Sequence, residues 1–256
     1  MINVLLIGDV VSDVGCEYLR QVLPSLKREM KINIVIANGE NSANCNGITK
    51  NSAKHLLDSG VDVITTGNHV FKRYEILSFF EECENLIRPA NYPDCVEGKG
   101  YYIYDGGYFK ICIINMLGTS FMEPLKSPFD TIDEILKKID CKNVIVDFHA
   151  EATGEKRAYG FYLNGKVSAV IGTHTHVQTA DEQILSEGTG YMTDVGMTGP
   201  IDTVLGVNPK NVIDRLKYHT PTRFEVPDLK CMLNAVLLEI DEKTGKCINI
   251  TRLRKE

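Results

Sequence analysis

Short apolar runs alternate with stretches of helical spacing along the first third of the chain. The runs at 3–7, 33–37 and 62–66 have the length and composition of buried strands. Between them, residues 16–30 and 49–59 carry apolar side chains at helical spacing, with Thr49 as a suitable N-cap and Gly60 as a stop. A further helix is predicted over 73–83. Strands that alternate with helices in this way predict a parallel sheet with crossover helices.

The pattern changes to hairpins and isolated strands after residue 99. Residues 100–104 and 109–116 flank Asp105-Gly106-Gly107, and residues 232–240 and 247–253 flank a turn at 241–245, so two hairpins are predicted. Between the hairpins we predict helices over 131–139 and 210–218 and strands over 144–147 and 168–171. The chain is therefore α/β, with either one mixed sheet or two packed sheets and helices outside.

Composition narrows the classes of protein to consider. Hydrophobic residues at 43% and charged residues at 24% are ordinary for a globular protein, and no repeat or long polar linker divides residues 1–256, which are predicted to form a single domain. No apolar run approaches the roughly 18 residues of a membrane helix, and the N-terminus lacks the features of a signal peptide. We therefore expect a cytoplasmic protein without a membrane partner.

Charge and cysteine usage exclude two kinds of function. A net charge of −6 disfavours binding to duplex DNA, because proteins that bind along DNA present basic surfaces. The eight cysteines form no C-x-x-C pair, so a zinc knuckle and a thioredoxin-type motif are excluded and free thiols are expected. A small anionic substrate stays compatible with the acidic chain, because a bound metal can reverse the local charge.

Five apolar runs each end in a residue type that can ligate a metal ion. They end at Asp9, at Glu40 and Asn41, at Asn68 and His69, at His149, and at His174 and His176. Each of these residues alone has an ordinary structural explanation, such as a helix cap for Asp9 or a turn for Asn68. Residues at the carboxyl ends of strands converge in an α/β sheet, however, so the set together predicts a functional site.

The donor types indicate a catalytic metal centre. On an extended backbone His174 and His176 would point to the same side, as a metal site requires. Nitrogen and oxygen donors without thiolate suit Mn, Fe, Zn, Co or Ni. Seven such donors exceed the needs of one tetrahedral ion, whereas two ions about 3.5–4 Å apart, bridged by a carboxylate and a hydroxide, would use them.

Seven short motifs carry a resemblance to a known family. GDVV, ANGEN, TTGNHVF, RPANYP, DFHAEATGEK, GTHTHVQTAD and TDVGMTG, between residue 8 and about residue 200, resemble the YmdB-like branch of the metallophosphoesterase (calcineurin-like) superfamily. Val11 stands where the wider superfamily has a histidine, and Gly39-Glu40-Asn41 stands where it has GD. The YmdB-like branch shares both departures, and Asn41 can take the coordination place of the missing histidine.

The resemblance implies a fold, a ligand set and a reaction. The implied fold is an α/β/β/α sandwich of two mixed sheets flanked by helices. The implied ligands are Asp9, Glu40, Asn41 and His176 for one ion, and Glu40, Asn68, His149 and His174 for the other, with Glu40 as the bridge. A hydroxide that bridges the ions would attack phosphorus, and His69 would protonate the leaving alkoxide. The expected substrates are 2′,3′-cyclic nucleotides or related small phosphodiesters, and the expected metals are iron or manganese.

Two other functions and the oligomeric state stay open at this stage. The same centre would serve a phosphomonoesterase or nucleotidase, and a regulatory protein could use the metal site to shape a partner-binding surface. A homo-oligomer is left open as well. Lys156 and Arg157 are interpreted as solvated surface charges in preference to phosphate ligands, and residues 193–199 as a glycine-rich loop that borders the pocket. His55 and His219 are interpreted as surface or capping residues, and Cys45 as only weakly linked to the site.

Overall fold

Two β-sheets form the centre of the computed structural model, which describes residues 1–44 and 46–256. The strands in chain order are β1 (Ile2–Ile7), β2 (Asp9–Val10), β3 (Ile34–Asn38), β4 (Val63–Thr65), β5 (Tyr101–Asp105), β6 (Lys110–Leu117), β7 (Val144–His149), β8 (Ala169–Thr173), β9 (Gln183–Ile184), β10 (Gly190–Met192), β11 (Met197–Pro200), β12 (Cys231–Ile240) and β13 (Cys247–Lys255). The helices are α1 (Ser12–Glu29), α2 (Lys50–Asp58), α3 (Ile76–Glu82), α4 (Pro128–Lys138), α5 (Thr153–Tyr162) and α6 (Pro209–Tyr218).

Both sheets are mixed. The first has the order β2-β11-β12-β1-β3-β4, and β13 also pairs with β12. In it β1, β3 and β4 run parallel, while β12 runs antiparallel to β1. The second has the order β5-β6-β7-β8-β10-β9, in which the four central strands are parallel and the two edge strands are antiparallel to their neighbours.

Alternation along the strands gives each sheet two buried faces. On β1, Leu6 belongs to the cluster between the sheets together with Ile113 and Ile171 of the second sheet, whereas Leu5 packs outward with Leu19 of α1. The outer face of the second sheet packs on α4 and α5. The predicted α/β/β/α sandwich of two mixed sheets is therefore confirmed.

Most elements follow the sequence pattern, and local chemistry explains why. The Thr49 hydroxyl accepts a hydrogen bond from the Ser52 amide at 3.1 Å, so α2 begins where the cap predicted. Both hairpins form, as β5–β6 and β12–β13.

The sequence pattern missed helix α5 and the short strands β2, β9, β10 and β11. Helix α5 was not predicted, because it starts without a side-chain cap and contains two glycines. Gly160 is needed there, since a Cβ at this position would overlap the Tyr191 ring. The prediction of a loop over 193–199 was wrong for its last three residues, because residues 197–199 belong to β11. This strand pairs with Asp9 and Val10 of β2 on one side and with β12 on the other.

The remaining predictions concern the membrane and the cysteines. None of the helices in the described part of the chain is long and apolar enough to cross a bilayer. Seven cysteines are described as free thiols, and five of these are buried. Cys45 lies outside the described residues.

Candidate metal centre

All eight residues predicted for the site lie at one edge of the sandwich. Strands β1, β3, β4, β7 and β8 end there, and each delivers one or more of the polar side chains that follow it. Close approach of the loop after β4 depends on Gly67, where a Cβ would overlap the His149 ring and the Glu40 carboxylate. The structure therefore brings the predicted residues together, while their roles stay predictions.

Asp9, Asn41 and His176 form one half of the cluster. Asp9 Oδ1 lies 3.6 Å from His176 Nε2 and 3.4 Å from Asn41 Nδ2. The His176 Nδ1–H group donates to the carbonyl oxygen of Leu205 at 3.1 Å. That bond occupies Nδ1 and leaves Nε2 directed at Asp9, which is the orientation that a metal-ligating histidine needs.

Glu40, Asn68, His149 and His174 form the other half. Nε2 of His149 lies 3.1 Å from Glu40 Oε1, 3.0 Å from Asn68 Oδ1 and 3.0 Å from His174 Nδ1. Ligand atoms of Glu40, His149 and His174 all lie within 4.8 Å of one another. The geometry thus offers a compact set of nitrogen and oxygen atoms around one point.

The protonation of His149 tests whether this set fits a metal ion. The Thr173 hydroxyl donates to Asp147 Oδ1 at 2.6 Å, so it accepts from His149 Nδ1–H at 2.9 Å. The lone pair of His149 Nε2 then faces the acceptor oxygens of Glu40 and Asn68. Acceptors that converge in this way repel one another unless a cation or an extra proton lies among them, so the donor set fits a metal ion.

The electrostatics of the cluster lead to the same conclusion. Asp9 and Glu40 are 0% and 1% exposed, and the side chains beside them that can carry positive charge are the imidazoles of His69, His149 and His176. Burial lowers the pKa of His149, but the charge and hydrogen bond of Glu40 act in the opposite direction. The net effect raises the pKa of His149 to about 9. Burial raises the pKa of Asp9, yet the hydrogen bond and charge of His176 hold it below its usual range. Two buried carboxylates therefore need positive charge beside them, which a metal ion would supply.

Asn41 lies between the cluster and His69. Its Oδ1 is 3.0 Å from His69 Nδ1, while its Nδ2 approaches Glu40 Oε1 at 3.2 Å and His176 Nε2 at 3.3 Å. In this orientation the amide nitrogen of Asn41 faces Glu40 and His176. A half-turn of the amide group would exchange its nitrogen and oxygen, and Oδ1 would then face a metal ion in the cluster. Asn41 suits either arrangement, because each end of the amide has a polar neighbour.

His174 and His176 do not lie on an extended backbone, so this part of the prediction was wrong. Strand β8 ends at Thr173, and the two histidines have φ angles of 101° and 62°. Such angles are unfavourable for residues other than glycine, and surrounding contacts must hold them. The His174 amide donates to Asp9 Oδ2 at 3.2 Å, and the Thr175 amide donates to Asp194 Oδ2 at 3.0 Å.

Lys156 helps to hold the backbone of the segment that bears His174 and His176, so the interpretation of Lys156 as a solvated surface charge was wrong. Its side chain is 1% exposed, and Nζ donates to Asp194 Oδ2 and to the Thr173 carbonyl, each at 2.7 Å. Asp194 also accepts from the Gly196 amide at 2.8 Å. Arg157 is half-buried and donates to Gln183 Oε1 at 3.1 Å, away from the cluster.

Two further histidines lie apart from the cluster. His219 is the exposed C-cap of α6, as predicted, and His55 lies in the last turn of α2. Sequence patterns did not indicate Asp147, Thr173 or the Leu205 carbonyl, which orient His149 and His176 of the cluster. Thr and Asp side chains inside strands have no pattern that separates this role from ordinary packing.

A cleft of about 420 Å³ opens over the cluster. Glu40, Asn41, His69, His174 and His176 form its polar floor. The apolar part of its lining, called here the apolar wall, comprises Val11, Leu205, Val207, Phe224 and Val226. His69 is partly exposed here, and burial lowers its pKa although the charge of Glu40 opposes the shift.

Comparisons with known proteins agree with this geometry. A family model described as YmdB-like protein matches residues 5–253. The 2′,3′-cyclic-nucleotide 2′-phosphodiesterase of Bacillus subtilis (strain 168) is 43% identical over 253 residues, which cover 98% of this chain and 96% of that protein. A hypothetical protein from Thermus thermophilus has a crystal structure with a TM-score of 0.94, at 36% identity over 99% of both chains.

The solved structure of a phosphatase is equally similar. The crystal structure of a novel phosphatase from Mycoplasma pneumoniae superposes with a TM-score of 0.94 at 35% identity, and the match covers 99% of this chain and 93% of that one. These similarities extend over nearly the whole chain and include every segment that contributes to the cluster. The chain therefore belongs to the YmdB-like family, as its motifs predicted.

Proposed function

We propose that the protein is a metal-dependent phosphodiesterase that hydrolyses 2′,3′-cyclic nucleotides or related small phosphodiesters. Phosphoester hydrolysis is the activity named for the relatives with a functional name. The observation that carries the proposal is the convergence of seven metal-ligand side chains beneath a cleft, with His69 beside them. A structural role alone would not require two buried carboxylates to face three histidines.

Two transition-metal ions complete the site in this proposal. Asp9, Glu40, Asn41 and His176 would hold one ion, and Glu40, Asn68, His149 and His174 the other. Ions held there would supply Lewis acidity, which would activate water for attack and offset the charge of the phosphoryl oxygens. Nitrogen and oxygen donors without thiolate suit Mn, Fe, Zn, Co and Ni, and the family resemblance favours iron or manganese among them.

His69 is the general acid of the proposal. It lines the cleft, and its Nδ1 lies 3.0 Å from the end of the Asn41 amide and 3.5 Å from Glu40 Oε1, so Nδ1 has a polar partner in either orientation of that amide. This orientation leaves Nε2 to carry the proton for the leaving alkoxide. The lowered pKa of His69 makes its imidazolium form a stronger acid, but it also reduces the fraction of His69 that is protonated at neutral pH. The negative charge of Glu40 opposes this reduction, because it stabilises the imidazolium.

The apolar wall of the cleft suits the base of a nucleotide. Phe224 presents an aromatic ring, and Leu205, Val207 and Val226 extend the apolar surface around it. Arg215 lies over the Phe224 ring at 5.3 Å and helps to fix it. A cleft of about 420 Å³ lies within the usual size range of small-molecule sites.

Elemental analysis of protein purified without chelators, together with phosphodiester hydrolysis, tests the proposal. We expect about two transition-metal ions per chain and hydrolysis of 2′,3′-cyclic AMP that chelation abolishes and manganese or iron restores. A parallel assay with a chromogenic phosphomonoester separates a diesterase from a nucleotidase. Protein without transition metal and without metal-dependent hydrolysis would overturn the proposal.

A further inference from the structure

A second cavity shares the side chain of His174 with the cleft. Its volume is about 380 Å³, and it is lined by Asn68, Phe121, Met122, Glu123 and His174. His174 also lines the cleft, so this candidate metal ligand is a shared wall between the two spaces. A phosphate bound at the cluster would therefore have room for one substituent in the cleft and another in the second cavity.

The loop that carries Phe121 is fixed at its start. Glu155 of α5 accepts hydrogen bonds from the Thr119 amide at 2.9 Å, the Thr119 hydroxyl at 3.1 Å and the Ser120 amide at 3.1 Å. The next residue, Phe121, has a φ of 63° and a side chain that is 92% exposed. An aromatic ring held in an unfavourable backbone conformation at the rim of a site indicates a contact surface for a ligand.

The charge of this cavity excludes an anionic ligand. Glu123 supplies a carboxylate, and no Lys or Arg is found among the described residues that line the cavity. A carboxylate repels a second phosphate but can accept hydrogen bonds from sugar hydroxyl or base amino groups. An exposed aromatic face stacks on any base. An uncharged nucleoside meets these conditions.

We propose that this cavity, named here the Phe121 cavity, binds a second nucleoside, so that linear dinucleoside monophosphates are substrates beside cyclic nucleotides. His69 lines the cleft and is not among the lining residues of the Phe121 cavity. The departing nucleoside therefore lies in the cleft, and the nucleoside that keeps the phosphate stacks on Phe121. This inference rests on the proposed phosphodiesterase function.

The reaction is a simple hydrolysis. The water oxygen forms a bond to phosphorus, the bond from phosphorus to the oxygen of the departing nucleoside breaks, and that oxygen receives a proton. The products are one nucleoside and one nucleoside monophosphate, and no oxidant or reductant is needed. A terminal phosphate on the nucleoside in the Phe121 cavity would weaken binding, because it would meet Glu123.

Steady-state kinetics of the metal-loaded full chain test the inference. The measured quantity is the ratio of kcat/KM for adenylyl-adenosine (ApA) to kcat/KM for 2′,3′-cyclic AMP. We expect Phe121→Ala to lower this ratio about tenfold, because base stacking on an aromatic ring is lost, and Phe121→Tyr to restore it. Tyr108→Ala is the matched control, since Tyr108 is also exposed but lies in the hairpin turn at the amino end of β6.

The possible outcomes separate the two proposals. If wild-type protein cleaves 2′,3′-cyclic AMP but Phe121→Ala leaves the ratio within twofold of wild type, the Phe121 cavity does not bind a nucleoside. The same conclusion follows if the wild type does not cleave ApA at all while it cleaves the cyclic nucleotide. If the metal-loaded protein cleaves neither substrate, the proposed function itself fails.

Discussion

Replacing Lys156 with methionine removes the cation from a buried ion pair that joins two loops of the candidate metal centre. Lys156 Nζ holds Asp194 Oδ2 and the Thr173 carbonyl, and Asp194 in turn holds the Thr175 and Gly196 amides. The Gly196 carbonyl accepts from the Asp9 amide at 3.1 Å. The pair therefore connects the segment that bears His174 and His176 with the one that bears Asp9.

The expected magnitude follows from burial. Lys156 is 1% exposed and Asp194 is 0% exposed, so water cannot replace the lost partner. Methionine fills most of the space of the lysine stem, and the main cost is the uncompensated charge of Asp194. Breaking a buried pair by removing one partner costs about 3–5 kcal/mol. Since the whole free energy of unfolding of a domain is about 5–15 kcal/mol, this loss is a large fraction of the total.

Urea unfolding of the purified variant measures this loss. With a slope of about 3 kcal/mol/M, the midpoint should fall by about 1–2 M. The metal content should fall as well, because the unfavourable backbone angles of His174 and His176 lose part of their support. Lys210→Met is the matched control, since Lys210 is 81% exposed in its ion pair with Asp214 and its loss should cost less than about 1 kcal/mol.

A double variant separates the charge effect from packing. Lys156→Met combined with Asp194→Asn removes both charges, and part of the lost stability should return because no buried charge is left without a partner. A midpoint for Lys156→Met that matches Lys210→Met, with full metal content, would refute the assigned role. The ion pair would then be incidental to the site.

Three further predictions concern the centre itself. His69→Ala should lower kcat for 2′,3′-cyclic AMP by about 10²–10⁴ while elemental analysis still finds two metal ions; loss of metal would contradict its role as general acid. His174→Ala should lose the second ion, so that the metal content falls from about two to about one per chain; an unchanged content would exclude His174 as a ligand. Chelation should abolish hydrolysis and lower the thermal midpoint of the wild type, because ligand binding stabilises the folded state, and added manganese or iron should reverse both effects.

The fold was largely predictable because its signals are local. Apolar runs of strand length, helical spacing, the Thr49 cap and the Asp105-Gly106-Gly107 turn each act over a few residues, and all of them formed. Helix α5 and strand β11 escaped prediction for the same reason. Their sequences contain glycine and small polar residues, and only pairing with β2 and β12 or packing on Tyr191 stabilises them.

The sequence by itself determined which residues gather at the site. Asp9, Glu40 and Asn68 follow parallel strands of the first sheet, and His149 and His174 lie at or just after the ends of parallel strands of the second, so each set must gather at the carboxyl edge of its own sheet. This argument needs only strand order and the type of residue that ends each run. Motif resemblance added the family and the fold to it.

Only the tertiary structure decided how those residues are held. The backbone at His174 and His176 has positive φ angles instead of an extended form, because Asp9 and Asp194 bind the amides of that segment. Lys156 is buried although an isolated lysine in a sequence is expected at the surface. Burial and pairing depend on segments far apart in the chain, so no local pattern contains them.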